Sequence, residues 1–238
     1  MKLVFSDDFS VDGAPDKSKW VIETGGHGGG NDELQYYTNR IKNAYVEDGR
    51  LILKAFKEDY RRRHYTSAKL ITYGTFSLQY GKVEVVAKLP RGYGSWPAIW
   101  MLPDACKEGV RWPLCGEIDI MEHVGKDENK VHASLHTKTY NHGKKTHRTG
   151  STRLEDVTGS FHKYGCVWTE EYFEFFYDDT SVVKIVKNDW PDTKVTGWPF
   201  DQKFFLILNL AVGGMWGGDV DDSVLPFVME VKSVKIYQ

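Results

Sequence analysis

Short runs of strand-forming residues, each closed by a turn residue, constrain this chain more than any other feature. Arg50 to Phe56, Gly81 to Leu89, Tyr172 to Tyr177, Val182 to Val186 and Phe204 to Leu210 are rich in β-branched and aromatic side chains. Gly49, Gly81, Asp178-Asp179 and Gly213-Gly214 punctuate them. No long stretch carries a clean helical period, and only the residues near Trp190 read as a helical turn. Many short strands predict an all-β fold, either a sandwich or a barrel. At 238 residues the chain is long enough for one large core, so a single catalytic domain over residues 1–238 is expected.

One strand is anomalous. Gly116 to His123 reads Gly-Glu-Ile-Asp-Ile-Met-Glu-His, with three carboxylates inside an apolar run. Side chains alternate along a strand, so Glu117 and Asp119 share a face while Ile118 and Ile120 take the other. Glu122 has the wrong parity. A β-bulge at Ile120-Met121 absorbs one residue and returns Glu122 to the acidic face, and such bulges are enriched beside active sites. Glu117 and Glu122 are then about four strand steps apart, roughly 13 Å between backbones. Side chains leaning together can close this to the ~5–5.5 Å carboxyl separation of a retaining glycosidase. The alternative is a strand with a solvated acidic face, which three mutually repelling acids make expensive.

The same residues resemble the Glu-x-Asp-x-x-Glu signature of family 16 glycoside hydrolases, in the bulged branch that includes laminarinase-type endo-β-1,3-glucanases. Four further segments resemble that family in its order: Asn31 to Tyr37, Gly94 to Pro103, Trp112-Pro113 and Leu206 to Gly214. The resemblance implies a β-jelly-roll sandwich of two curved antiparallel sheets, concanavalin-like, with the cleft on the concave face. It implies Glu117 as nucleophile, Glu122 as general acid/base and Asp119 as the residue that tunes the nucleophile. It favours His136, on the strand Val131 to Thr137, as a cleft residue near the acids, and Asn31 as a sugar contact. His132 shares the face of His136, and an isolated strand histidine is as readily structural.

Sugar rings present C–H faces that stack on indoles, and Trp96, Trp100 and Trp112 stand closest in sequence to the acidic strand. Trp20, Trp168, Trp190 and Trp198 are read as core. The implied substrate is a laminarin-type β-1,3-glucan cleaved internally with retention. Alternatives are a mixed-linkage β-glucan or marine galactan hydrolase of the same family, or a non-catalytic β-glucan-recognition protein. The last class typically lacks the catalytic acids.

Composition narrows the partners. A net charge of -2 gives no broad footprint for nucleic acid or anionic membrane, and Arg61-Arg62-Arg63-His64 reads as a solvated loop. No apolar stretch approaches a membrane span of about 20 residues. Met1 to Asp8 is not a signal peptide, so the chain is either cytoplasmic or a mature extracellular form; a secreted monomer is expected. Cys106 and Cys115 bracket a short loop and are either bonded or two free thiols, with the bond slightly favoured, while Cys166 reads as a buried small hydrophobe. No Cys/His spacing suggests zinc, and no cofactor or metal is expected. Where relatives carry a calcium-binding Asp near the C-terminus this chain has Lys232, whose ammonium is expected to occupy similar space. Lys69 stands where relatives often carry Arg, which removes a bidentate contact.

Overall fold

The computed structural model describes all 238 residues. In chain order the first strands are β1 (Leu3–Asp7), β2 (Val21–Ile22), β3 (Gln35–Tyr37), β4 (Ala44–Glu47), β5 (Arg50–Tyr60), β6 (Arg63–Ser67) and β7 (Lys69–Ile71). Then come β8 (Gly81–Lys88), β9 (Ser95–Pro103), β10 (Glu117–His123), β11 (Lys130–His136) and β12 (Arg148–Arg153). The last are β13 (His162–Trp168), β14 (Tyr172–Tyr177), β15 (Thr180–Val186), β16 (Phe204–Val212) and β17 (Phe227–Tyr237). Helix is confined to single turns, including α1 (Asp104–Lys107), α2 (Gly214–Gly217) and a 3-10 turn at Lys187–Asp189, beside Trp190.

The strands form an all-β jelly-roll sandwich. One sheet runs β15-β14-β13-β8-β17-β5-β6-β3, with β1 on β17 and β4 on β5; the other runs β12-β11-β10-β9-β16-β7-β2. Every pairing between strands is antiparallel except β3 with β6. Alternation along the strands drives the two sheets together. In β8, Val83, Val85 and Ala87 are buried while their neighbours are only partly covered, and β16 is buried along its full length. These residues meet Ile118, Ile120, Leu135, Leu206 and Leu208 in one continuous core. Trp20, Trp168, Trp190 and Trp198 are in that core, as their sequence context suggested.

The bulge lies at the expected place. Asp119 pairs with Ser134 and Glu122 with His132, so Ile120 and Met121 together face Ala133. On the other side Asp119 pairs with Trp100 and Met121 with Ile99, which leaves Ile120 as the extra residue. The unpaired carbonyl of Ile120 is buried, and the Tyr177 hydroxyl donates to it at 3.0 Å from the opposite sheet. Immediately before the strand, Gly116 has φ 90°, and a Cβ there would lie 2.6 Å from Pro199, so only glycine fits.

Cys106 and Cys115 are joined in a disulfide, and Cys166 is free and buried. Lys232 departs from its expected role. It falls at a register irregularity of β17 between Val231 and Ser233, is exposed, and meets no acceptor. The irregularity turns the side chain to solvent, so the ammonium does not stand in for an ion.

Two substitutions test this framework. Tyr177→Phe leaves the Ile120 carbonyl buried without a donor and is expected to cost about 1–3 kcal/mol in chemical denaturation; an unchanged midpoint would show that the bulge holds itself. Lys232→Ala is expected to change stability by less than about 0.5 kcal/mol, as for other exposed side chains.

Candidate active site

A cavity of about 390 Å³ crosses the seven-stranded sheet, lined by Asn31, Glu33, Tyr37, Lys69, Trp96, Trp100, Trp112, Glu117, Asp119, Glu122, His142 and Asn209 among others. Strand alternation plus the bulge puts Glu117, Asp119 and Glu122 on this one face, while Ile118, Ile120 and Met121 go to the core. His136 pairs in register with Glu117, and its Nε2 lies 3.2 Å from Asp119 Oδ2. The contact is off-axis, so Asp119 Oδ2 has no well-formed hydrogen bond. The His142 backbone N–H donates to His136 Nδ1 at 3.4 Å, which assigns the ring proton to Nε2, facing the acid.

Burial dominates the electrostatics. It pushes Glu117 and Asp119 well above their usual range, and each is pushed further by a neighbouring carboxylate. Glu122 rises from 4.5 to about 7, first by burial and then by the charge of Glu117, against the opposing effect of His136 and of a hydrogen bond from Trp96. That bond, Trp96 Nε1 to Glu122 Oε1, is 3.2 Å long. Glu117 and Asp119 lie close enough to share a proton; their mutual contact raises Glu117 and lowers Asp119, while His136 and the Trp112 indole N–H act on Glu117 in the opposite sense.

The sequence-derived binding residues divide. Trp100 donates its indole N–H to Asn209 at 2.7 Å, and the Asn209 amide donates to Tyr37 at 2.8 Å. Trp112 is 42% exposed and presents a free ring, stacked on one side by His142 at 5.3 Å. Trp96, only 8% exposed, offers little ring face and acts through its N–H. Asn31 lines the cavity near Gly29, to whose carbonyl its amide reaches at 3.4 Å. Gln35, in the same segment, is spent on structure, donating to Glu33 and accepting from Val212 N. Lys69 makes a single-point contact with Glu23 at 2.7 Å beside the Trp100 ring.

Several cavity residues escaped the sequence reading. Tyr37 and Asn209 come from distant strands; Trp216, outside the cavity lining, packs edge-on against Trp96 at 5.4 Å and His132 at 5.1 Å. The one available signal for Trp216 is its glycine-rich setting, Gly213-Gly214-Met215-Trp216-Gly217-Gly218, directly after a strand that ends in the cleft.

Glu117, Asp119 and His136 have ligand atoms within 4.8 Å of one another, enough to consider a metal. Their network opposes one. A metal-bound imidazole donates its second N–H to a partner, but His136 Nδ1 faces a donor instead.

Three acids brought onto one cleft face of a β-sandwich, one of them pushed up to about 7, are the arrangement of a glycan-cleaving hydrolase. The chain belongs to glycosyl hydrolases family 16, whose family model matches residues 31–225. A beta-glucanase from Rhodothermus marinus is 48% identical, over 100% of this chain and 85% of that protein. The X-ray structure of the laminarinase from Rhodothermus marinus superposes with a TM-score of 0.96 at 48% identity, covering 100% of this chain and 97% of that one. A mutant of SCLam, a non-specific endo-β-1,3(4)-glucanase co-crystallised with 1,3-β-D-cellotriosyl-glucose, matches at TM-score 0.92 and 41% identity over 100% and 94% of the two chains.

The raised pKa of Glu122 has a signed effect on stability. Below about pH 4.5 the group is protonated in both folded and unfolded chains and costs nothing; between about 4.5 and 7 the unfolded chain ionises while the folded chain keeps the proton, so stability falls over that window and levels off above it. Glu122→Gln removes that penalty. The variant is expected to exceed the wild type by about 1–3 kcal/mol at pH 8 and to match it at pH 4. Equal gains at both pH values in urea titrations would contradict a titrating Glu122.

Proposed function

We propose that the chain is a retaining endo-β-1,3-glucanase that cleaves internal bonds of laminarin-type glucans by double displacement. The observation that carries this reading is the placement of Glu117 and Glu122 on one cleft face, on either side of the bulge. Glu122 stays protonated up to about pH 7, as a general acid must, and Glu117 is met by His136 and the Trp112 indole N–H, which favour its ionised form against burial. Glu117 attacks the anomeric carbon, and Glu122 gives its proton to the departing glycosidic oxygen. Water deprotonated by Glu122 then releases the sugar from Glu117. Asp119, beside Glu117 on the same face, can take the proton shared with it and leave the nucleophile anionic, with His136 Nε2 3.2 Å from Asp119 Oδ2.

Trp100 and Trp112 supply ring faces for sugar C–H surfaces, and Asn31, Glu33, Asn209 and Lys69 line the cavity where hydroxyls pass. Trp96 aims Glu122. The glucan-recognition alternative is disfavoured by the presence of all three acids. The β-1,3 preference is supported by the relatives above, and SCLam's broader name keeps mixed-linkage glucan as the second substrate to assay. No helix is long and apolar enough to cross a membrane; we propose a secreted, monomeric enzyme in which residues 1–238 are a single catalytic domain.

Rates on laminarin, lichenan and agarose decide the polymer. Glu117→Gln is expected to abolish turnover while leaving oligosaccharide binding intact, and near-wild-type hydrolysis would sink the assignment. Proton NMR is expected to show the β-anomer first. Glu122→Ala is expected to slow natural glucan severely, keep attack on activated aryl glycosides, and respond to azide. The wild-type rate on laminarin should fall above about pH 7 as Glu122 loses its proton, a limb that activated leaving groups suppress. An identical alkaline limb on both substrates would remove Glu122 from the acid role.

A further inference from the structure

The hairpin formed by β11 and β12 is charged unlike the rest of the molecule. From Asn129 to Leu154 there is no Asp or Glu, although the chain holds 33 of them; the same stretch has six Lys or Arg and four of the eight His. It forms the edge of the cleft-bearing sheet, since β12 is the terminal strand. Two of its cations are neutralised: Lys130 and Arg153 both contact Asp127. Arg148 is held over the rings of Tyr140 and Trp190. Lys138, Lys144 and Lys145 remain, all exposed and without an acidic partner. The Lys144 ammonium folds onto the Lys138 carbonyl at 2.7 Å. The nearby acid Asp192 accepts from the Thr139 and Thr196 hydroxyls and from the Lys194 backbone N–H, and pairs with none of the three lysines.

This turn is joined to the cleft. It follows His136 directly, and His142 within it lines the cavity, stacks on Trp112 and donates its backbone N–H to His136. The His147 ring lies parallel to that of His136 at 5.1 Å. The floor beyond the acids on this side is polar, with Ser134 opposite Thr149 and His132 opposite Ser151. A glycan leaving the cleft over β11 and β12 therefore passes hydroxyl and imidazole groups beside a turn that carries three exposed ammonium groups without an acidic partner. A neutral glucan gains little from them, because an exposed ammonium binds hydroxyls no better than water does.

We propose that this turn is a binding site for oxyanion substituents, sulfate esters or carboxylates, on the polysaccharide that occupies the cleft. The proposal rests on the glucanase reading only for the identity of the backbone chain. Exposed ion pairs of this kind each contribute modestly and are screened over about 8 Å at physiological salt. Three together are expected to change affinity by about 5- to 20-fold at low ionic strength.

The test compares wild type with the triple variant Lys138→Gln, Lys144→Gln, Lys145→Gln on neutral laminarin, lightly sulfated laminarin and C6-oxidised laminarin. At low salt the variant is expected to lose about 5- to 20-fold in kcat/KM on the anionic polymers, less than twofold on the neutral one, and most of the difference at high salt. A loss on only the sulfated or only the oxidised polymer would identify the oxyanion. Equal losses on all three, or none on any, would overturn the proposal. Gel mobility of both proteins carrying Glu117→Gln, in gels containing the same polymers, judges the site without turnover. Should wild type leave neutral laminarin intact, the glucanase reading fails, and the gel ratio still decides whether the turn binds anionic glycan.

Discussion

Ile120 is one residue too many for its strand, and the placement of Glu117, Asp119 and Glu122 on one face depends on how the fold accommodates it. In a regular strand Glu122 would enter the core and a hydrophobic side chain would face the cleft. The bulge reverses this, at the expense of a buried carbonyl that the ladder cannot pair. The Tyr177 hydroxyl reaches across from β14 to satisfy it. An unpaired buried carbonyl costs of order 1–3 kcal/mol, so the tyrosine converts an unfavourable backbone into a fixed one. The opposite sheet thus helps to set the acidic face, through Tyr177 beneath the bulge and through Tyr37 of β3, which lines the cleft.

The acids impose a second strain, electrostatic rather than geometric. Three carboxyls within six residues, all displaced toward protonation by burial, oppose folding at neutral pH. The sandwich tolerates this because the same strand sends Ile118, Ile120 and Met121 into a continuous core. One face of β10 stabilises what the other face destabilises. That division also serves chemistry, since a proton retained near neutrality is what a general acid requires.

Legibility in the sequence follows the range of the interaction. The parity of Glu117, Asp119 and Glu122, the bulge and the facing of His136 are local properties of two adjacent strands, and periodicity exposes them. So is the Cys106–Cys115 bond, which spans a sequence separation of 9. Tyr37 and Asn209 meet only because β16 and the segment after Glu33 converge across 172 residues, and no short-range pattern signals that. Tyr177 was legible as a strand residue, but its bond to Ile120 depends on how two sheets stack. Lys232 shows the opposite failure. A position matched by its neighbours in sequence was displaced by an irregularity in β17, and its side chain went to solvent.

The cleft is chemically lopsided about the acidic strand. Toward β9 and β16 it is built from indoles whose N–H groups are already bonded to Glu122 and Asn209, so their remaining interaction is through the ring. Rigid rings of this kind select shape at little entropic cost. Toward β11 and β12 the wall carries hydroxyls and imidazoles, and His132 is neutral near pH 7 because burial lowers it to about 4. Such groups exchange hydrogen bonds with water and sugar on nearly equal terms. Grip therefore comes from the aromatic half, and the polar half contributes orientation and little net affinity. A polymer held on one side and loosely guided on the other can be cut internally and released on the guided side, and any added selectivity there has to come from charge, which β11, β12 and their turn carry almost entirely in one sign.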